Sequence, residues 1–160
     1  MRLLAVFALI AATVAVPAFA APPPAKVLVR STPVGEVLVD ARGRTLYLRT
    51  LDTSRKSTCY RSCAAAWPPF VTSGSTRAGS GVKQTLLGTA KRTDGTLQVT
   101  YAGHRLYFFG QDTKAGQISG QAAAGTWWVL GASGKKITKT PTPPATTTAP
   151  PGGGYGGYGP

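Results

Sequence analysis

From Lys26 onward, short apolar runs alternate with polar turns at a spacing too tight for helices. Val27-Leu28-Val29 precedes a Pro33-Val34-Gly35 turn and Val37-Leu38-Val39, and Arg42-Gly43 then leads into Arg44-Thr45-Leu46-Tyr47-Leu48-Arg49. The same order returns as Leu86-Leu87, an Asp94-Gly95 turn, Leu97 to Tyr101, an Ala102-Gly103 turn, and His104 to Phe109. Asp-Gly between strand-like runs marks a tight hairpin, because glycine accepts the positive φ that the turn demands. Each series therefore predicts a three-stranded meander. A fourth strand is expected at Trp67–Val71 and again at Trp127–Leu130.

The two series align without a gap at an offset of 60 residues: Gly35, Val39, Gly43, Leu46, Tyr47, Asp52, Thr53, Ala64 and Trp67 return as Gly95, Val99, Gly103, Leu106, Tyr107, Asp112, Thr113, Ala124 and Trp127. A period of that size is the mark of a duplicated supersecondary unit. A unit of about 45 residues is too small to keep a core by itself. The expected organisation is a single β domain over 26–137, built from repeats at about 27–71 and 86–131. In the third strands Leu46 and Leu48 oppose Tyr47 and Arg49, while Leu106 and Phe108 oppose Tyr107 and Phe109, since side chains alternate along a strand. A strand apolar on both faces needs cover on both. The expected fold is mainly β: two tandem meanders packed as one small β-sandwich or partly closed barrel, related by a pseudo-twofold, with one short helix.

The copies diverge between their third and fourth strands. Ser57-Thr58 can cap a short helix over Cys59–Ala66 that Pro68-Pro69 would stop. The matching Gly116 to Gly125 stretch predicts an irregular loop, and Thr72 to Gly81 a polar connection between units. Residues 21–25 form a Pro-rich lead-in. The Pro/Thr-rich and then Gly/Tyr-rich tail at 138–160 cannot bury enough apolar surface to fold. At the other end, Arg2, the apolar run Leu3 to Val16 and Ala18-Phe19-Ala20 read as a signal peptide at 1–20. No cysteine follows to accept a lipid, so a freely secreted protein without a transmembrane segment in its mature form is expected.

Charge and cysteines narrow the picture further. The chain carries 18 Lys and Arg against 5 Asp and Glu, a net charge of +13. The excess is spread evenly over both repeats, whereas a nucleic-acid reader more often gathers its cations on one element. No specific nucleic acid is expected. Loose association with anionic polymers of a cell envelope, through a salt-sensitive field, fits the distribution better, and solubility alone accounts for it equally well. Cys59 and Cys63 are the only cysteines and should form a bridge in an oxidising compartment. With His104 they fall short of the four ligands of a zinc site, and Cys-x-x-Cys-His is absent, so no cofactor is expected.

The repeated Tyr-x4-Asp spacing is the most specific local pattern. Asp52 and Asp112, each followed by Thr, sit beyond their strands where an Asp accepts nearby backbone N–H groups in an Asx-type turn. Tyr47 and Tyr107 would then pack by their rings and satisfy their hydroxyls locally. The functional alternative has both Tyr–Asp pairs converging on one ligand across the pseudo-twofold. The string Val37-Leu38-Val39-Asp40-Ala41-Arg42-Gly43-Arg44-Thr45-Leu46-Tyr47 with Asp52, followed by Cys59-x3-Cys63-Ala-Ala-Ala-Trp67-Pro68-Pro69, resembles the bacterial secreted lipoprotein repeat. That family carries Tyr-x-(Phe/Trp/Tyr)-x-x-Asp, commonly in tandem. Gly103-His104-Arg105-Leu106-Tyr107-Phe108-Phe109-Gly110-Gln111-Asp112 with Trp127 is similar to it as well, while Arg49 stands where the motif has an aromatic residue. The resemblance implies a secreted fold unit and no established activity.

General acid-base work needs a histidine or carboxylate with positioned partners. The candidates outside the leader are Glu36, Asp40, Asp52, Asp94, Asp112 and His104, of which Asp94 and Asp40 serve turns. No nucleophilic triad, phosphate loop or metal cluster can be assembled with motif spacing. The expected function is a non-catalytic binding or scaffolding module of the envelope or extracellular space, with Tyr47, Asp52, Tyr107, Phe109, Asp112 and His104 as candidate binding residues. The alternatives are a redox- or metal-linked accessory and a hydrolase using Asp52 or Asp112.

Overall fold

The structure, a computed structural model, describes residues 24–141. The expected signal peptide at 1–20, most of the lead-in at 21–25 and most of the tail at 138–160 lie outside the described residues.

The apolar runs form strands, and the polar turns between them set their pairing. In the first repeat β1 (Ala25–Thr32) and β2 (Gly35–Asp40) make an antiparallel hairpin, registered from Val27 opposite Asp40 to Thr32 opposite Gly35. The third strand keeps only an isolated bridge to this hairpin, Thr45 opposite Val39, before continuing as β3 (Tyr47–Arg49). Helix α1 (Ser62–Ala66) follows, then β4 (Val71–Thr72) and β5 (Thr76–Ala78). The second repeat gives the full meander, β6 (Leu87–Lys91), β7 (Leu97–Tyr101) and β8 (His104–Arg105), and closes with β9 (Trp127–Val129).

Strands from the two repeats are exchanged. β4 of the first repeat pairs antiparallel with β7 of the second, and β9 of the second pairs with β3 of the first. The sheets are β2-β1-β5, β3-β9 and β4-β7-β6 with β8 beside β7, and none closes into a barrel. Of the two expected architectures, the sandwich-like one is therefore observed. One buried cluster holds Val27, Leu38, Leu46 and Leu48 with Val99, Tyr101, Leu106 and Leu130. A second holds Val37, Val39, Tyr47 and Trp67 with Tyr107, Trp127 and Val129. Both clusters draw on both repeats, which is how two small units bury surface that neither could cover alone.

Several local expectations are corrected. The helix is shorter than Cys59–Ala66 and has no side-chain cap. The Ser57 hydroxyl is taken up elsewhere, within hydrogen-bond reach of the Tyr107 hydroxyl and the Cys59 amide. The polar connection over 72–81 contains a strand, since β5 lies parallel to β1 and is held by backbone bonds with no apolar alternation of its own. The Gly116 to Gly125 loop ends in a single 3-10 turn at Ala123–Gly125.

The ungapped equivalence also slips by one at β2. Leu46 donates its N–H to Leu38 O at 2.9 Å, whereas Leu106 donates to Val99 O at 3.0 Å. Leu38 and Val99 likewise donate to Leu130 O and Phe70 O, each at 2.8 Å. The structural counterpart of Val99 is therefore Leu38. The cause is the turn: Asp40 and Arg44 flank three residues, while Tyr101 and His104 flank only Ala102-Gly103. Both residues of that shorter turn have positive φ, 49° and 80°, as a tight hairpin of this hand requires. In the longer one the Asp40 carboxylate takes the strain, accepting the N–H groups of Arg42 and Arg44 at 2.9 Å each.

Candidate functional site

The two third strands meet back to back at Tyr47 and Tyr107, which form an antiparallel bridge with N–H···O distances of 2.8 and 2.9 Å. Both tyrosines are fully buried. Because the strands run in opposite directions here, each ring tip reaches the loop of the other repeat. The Tyr47 hydroxyl donates to Asp112 Oδ2 at 2.6 Å, and the Tyr107 hydroxyl donates to Asp52 Oδ2. The expectation that these hydroxyls are satisfied locally is thus corrected: the repeated motif is completed by exchange.

Each aspartate uses its second oxygen on its own loop. Asp52 Oδ1 accepts the Thr58 N–H at 2.7 Å and the Thr58 hydroxyl at 2.6 Å, and Asp112 Oδ1 accepts the Ser119 N–H at 3.0 Å. These bonds reach six and seven residues along the chain, farther than an Asx turn spans. The tyrosine oxygens are also filled as acceptors, Tyr47 by the Gly120 N–H at 3.3 Å and Tyr107 by the Ser57 hydroxyl at 2.7 Å. Burial, reinforced by the carboxylate each hydroxyl donates to, pushes the Tyr107 phenol up to about 12 and the Tyr47 phenol further still. Ionisation would remove a buried donor and set a phenolate against a carboxylate, so both remain protonated donors.

An aromatic layer repeats the same arrangement in the two repeats and joins them. Trp67 and Trp127 stack with ring centroids 3.9 Å apart and planes 2° from parallel. Tyr47 meets Trp67 edge-on at 5.3 Å, and Tyr107 meets Trp127 in the same way at 5.2 Å. Phe109 packs on Trp67 at 4.4 Å. Its counterpart Arg49 fills the equivalent place with a cation, its guanidinium 5.3 Å from the Trp127 ring centroid and its Nη1 donating to Thr58 O at 2.8 Å. Gly120 is needed beside this layer, since a Cβ there would lie 2.6 Å from the Trp67 ring.

The loop over 55–59 is pinned to the second repeat by two buried arginines. Arg92 donates to Gln98 Oε1 at 2.9 Å, Cys59 O at 2.8 Å and Ser57 Oγ at 3.2 Å. Arg105 donates to Arg55 O at 3.1 Å and to the Ala90 and Lys91 carbonyls. Cys59 and Cys63 form the expected bridge, with Cα atoms 5.2 Å apart, at the entrance to α1.

Outside the crossed pairs, the duplication leaves two equivalent clefts. One, of about 230 Å³, is lined by Phe108, Phe109, Gly110 and Asp112 of the second repeat and by Arg44 of the first. The other, of about 390 Å³, is lined by the counterparts Leu48, Arg49, Thr50 and Asp52 and by His104, with Lys135 and Lys136 added. In the smaller cleft Arg44 lies over the Phe108 ring, 3.8 Å from its centroid, and Asp40 pairs with it at 2.8 Å. The structure therefore brings together Tyr47, Asp52, Tyr107, Phe109 and Asp112, while exposed His104 stands on the rim with Asp52 and Arg49. Sequence reasoning passed over Lys135-Lys136, whose adjacency was visible, and over Ser57 and Arg92, whose roles depend on contacts 35 to 50 residues away.

Fold and site together define a tandem β repeat clasped through exchanged Tyr–Asp bonds. The chain belongs to the family described as a secreted repeat of unknown function, which matches it twice, over residues 28–71 and 88–131. No curated protein and no solved structure matches the chain. The protein is secreted, and among the described residues no helix is long and apolar enough to cross a membrane.

Proposed function

We propose that the protein is a non-catalytic binding module of the bacterial cell envelope or extracellular space that holds anionic polymers through its cationic surface. The observation that carries this reading is the exchange of Tyr–Asp partners. All four polar ends of the repeated motif are spent on closing the fold, so the motif serves as a clasp and recognition falls to the surface around it. That surface carries most of an excess of 18 basic over 5 acidic side chains. A hydrolytic role for Asp52 or Asp112 is weaker, because either carboxylate would first have to release a buried tyrosine and a loop amide. A redox role would require the Cys59–Cys63 bridge to open.

Co-sedimentation of the full chain with insoluble anionic envelope polymers, at ionic strengths from about 0.05 to 0.5 M, tests the reading. The bound fraction should be high at the low end and fall steeply with salt. Failure to bind any anionic polymer at low ionic strength overturns it.

A further inference from the structure

The two clefts occupy the same place in the two repeats yet differ in chemistry. In the smaller one the guanidinium of Arg44 lies on Phe108 with its charge paired to the Asp40 carboxylate, and Phe109 also lines the cleft. In the larger one Arg49 replaces Phe109, His104 replaces Arg44, and the chain returns after β9 to add Lys135 and Lys136. This return is fixed by backbone bonds, Gly131 N–H to Lys135 O at 3.0 Å and Ile137 N–H to Val129 O at 2.9 Å. Both lysines are exposed there, with Lys136 Nζ 5.2 Å from the Trp128 ring centroid.

Three permanent cations and the only histidine of the chain thus line one concave surface with a floor at Leu48. The single acid in the lining is Asp52, and its two oxygens already accept from Tyr107 and Thr58. Hydrogen bonds from these neutral donors leave its charge in place, so the lining sets three permanent cations against one carboxylate and keeps a positive balance. A concavity with that balance favours an anion carrying more than one charge and several acceptor oxygens, and surrounding low-dielectric walls strengthen the attraction.

We infer that the cleft formed by Arg49, His104, Lys135 and Lys136 is a binding site for a phosphate group, and that it is the point at which a phosphate-bearing polymer is gripped. The polymer part of this inference rests on the function proposed above. The smaller cleft, its cation already paired, takes no anion. The two clefts thus differ in kind, one lined by aromatic rings and the other by cations.

The histidine offers a direct readout, because its imidazole C–H signals are unique in the spectrum. Titration of the full chain with inorganic phosphate at constant pH and ionic strength should shift those signals saturably, whereas chloride at matched ionic strength should not. Lys135→Gln with Lys136→Gln should weaken binding of a long-chain inorganic polyphosphate about tenfold. Lys83→Gln with Lys91→Gln removes the same charge from exposed positions outside the cleft and should weaken it less than threefold. Equal losses in the two double variants overturn the cleft while leaving general polyanion binding standing. Absence of polyphosphate binding by the unsubstituted chain removes both. Equal affinity for a polyuronate, lost to the same extent in the cleft variant, overturns the assignment to phosphate in favour of any polyanion.

Discussion

Arg49 and Phe109 hold equivalent positions in the two repeats, and each packs on the tryptophan of the opposite repeat: Phe109 on Trp67 at 4.4 Å, Arg49 over Trp127 at 5.3 Å. The flat guanidinium covers an indole face much as a phenyl ring does, and in addition donates to Thr58 O. Position 49 therefore serves packing and charge together, which makes the two separable by substitution. Arg49→Ala should destabilise the fold by about 2 kcal/mol, from a lost cation–π contact and a lost charge-assisted bond. Arg49→Phe should recover most of that loss in a denaturant melt while leaving phosphate binding impaired. If the Phe variant melts with the Ala variant, the packing equivalence is wrong.

The exchange of hydroxyls makes a sharper claim about which residues are coupled. Tyr47 lies five residues from Asp52 in sequence but bonds to Asp112. Double-mutant cycles with Tyr→Phe and Asp→Asn should give a coupling of about 1–2 kcal/mol for Tyr47 with Asp112 and for Tyr107 with Asp52. Tyr47 with Asp52 should be near additive. A larger coupling within a repeat than across repeats would contradict the crossed arrangement.

How much of this was legible beforehand can be judged from particular residues. Leu46, Tyr47 and Trp67 and their counterparts were recognisable as equivalent, because alternation and the ungapped offset agree there. Val39 and Val99 were not truly equivalent, and nothing in Val37-Leu38-Val39, buried throughout, signals the one-residue slip that the longer turn introduces. The exchange of β4 and β9 was also hidden, since a strand's own pattern is the same whether its partner lies in its own repeat or in the other. β5 escaped notice because it has no apolar alternation of its own: it is held by backbone pairing with β1 and by the Gln84 side chain, which bonds Thr76 O and Ala78 N–H. The Tyr–Asp motif was visible as a motif, but spacing cannot say that a hydroxyl and a carboxylate five residues apart will each find the other copy's partner. The charge excess was visible too, without the placement of Lys135 and Lys136 beside Arg49.

Alkaline pH should unlock the clasp. The folded Tyr107 phenol is raised from 10.0 to about 12, and Tyr47 is raised further. A neutral acid whose folded value exceeds its unfolded value contributes stability that is whole below the unfolded value and declines as pH climbs through the folded one. The melting temperature should therefore hold up to about pH 10 and drop between 10 and 12. Phenolate absorbance from these two residues should rise only with unfolding. Their ionisation near pH 10 with the fold intact would show that the hydroxyls are not buried donors.

Reduction of Cys59–Cys63 should matter far less than separation of the repeats. Closing so short a loop contributes about 2 kcal/mol through chain entropy, so the reduced protein should stay folded with a lower midpoint. A chain truncated after residue 80 loses every partner of β3 and β4, the carboxylate that receives the Tyr47 hydroxyl and the stacking face of Trp67. It also leaves Leu38, Leu46 and Leu48 without Val99, Leu106 and Leu130 across the core. The exposed apolar area and the orphaned strand edges leave no folded state for the fragment to reach, and its amide spectrum should be undispersed. A cooperative, monomeric transition in that fragment would mean that the first repeat carries a sufficient core of its own, and that the crossed Tyr–Asp bonds join two finished units instead of completing one.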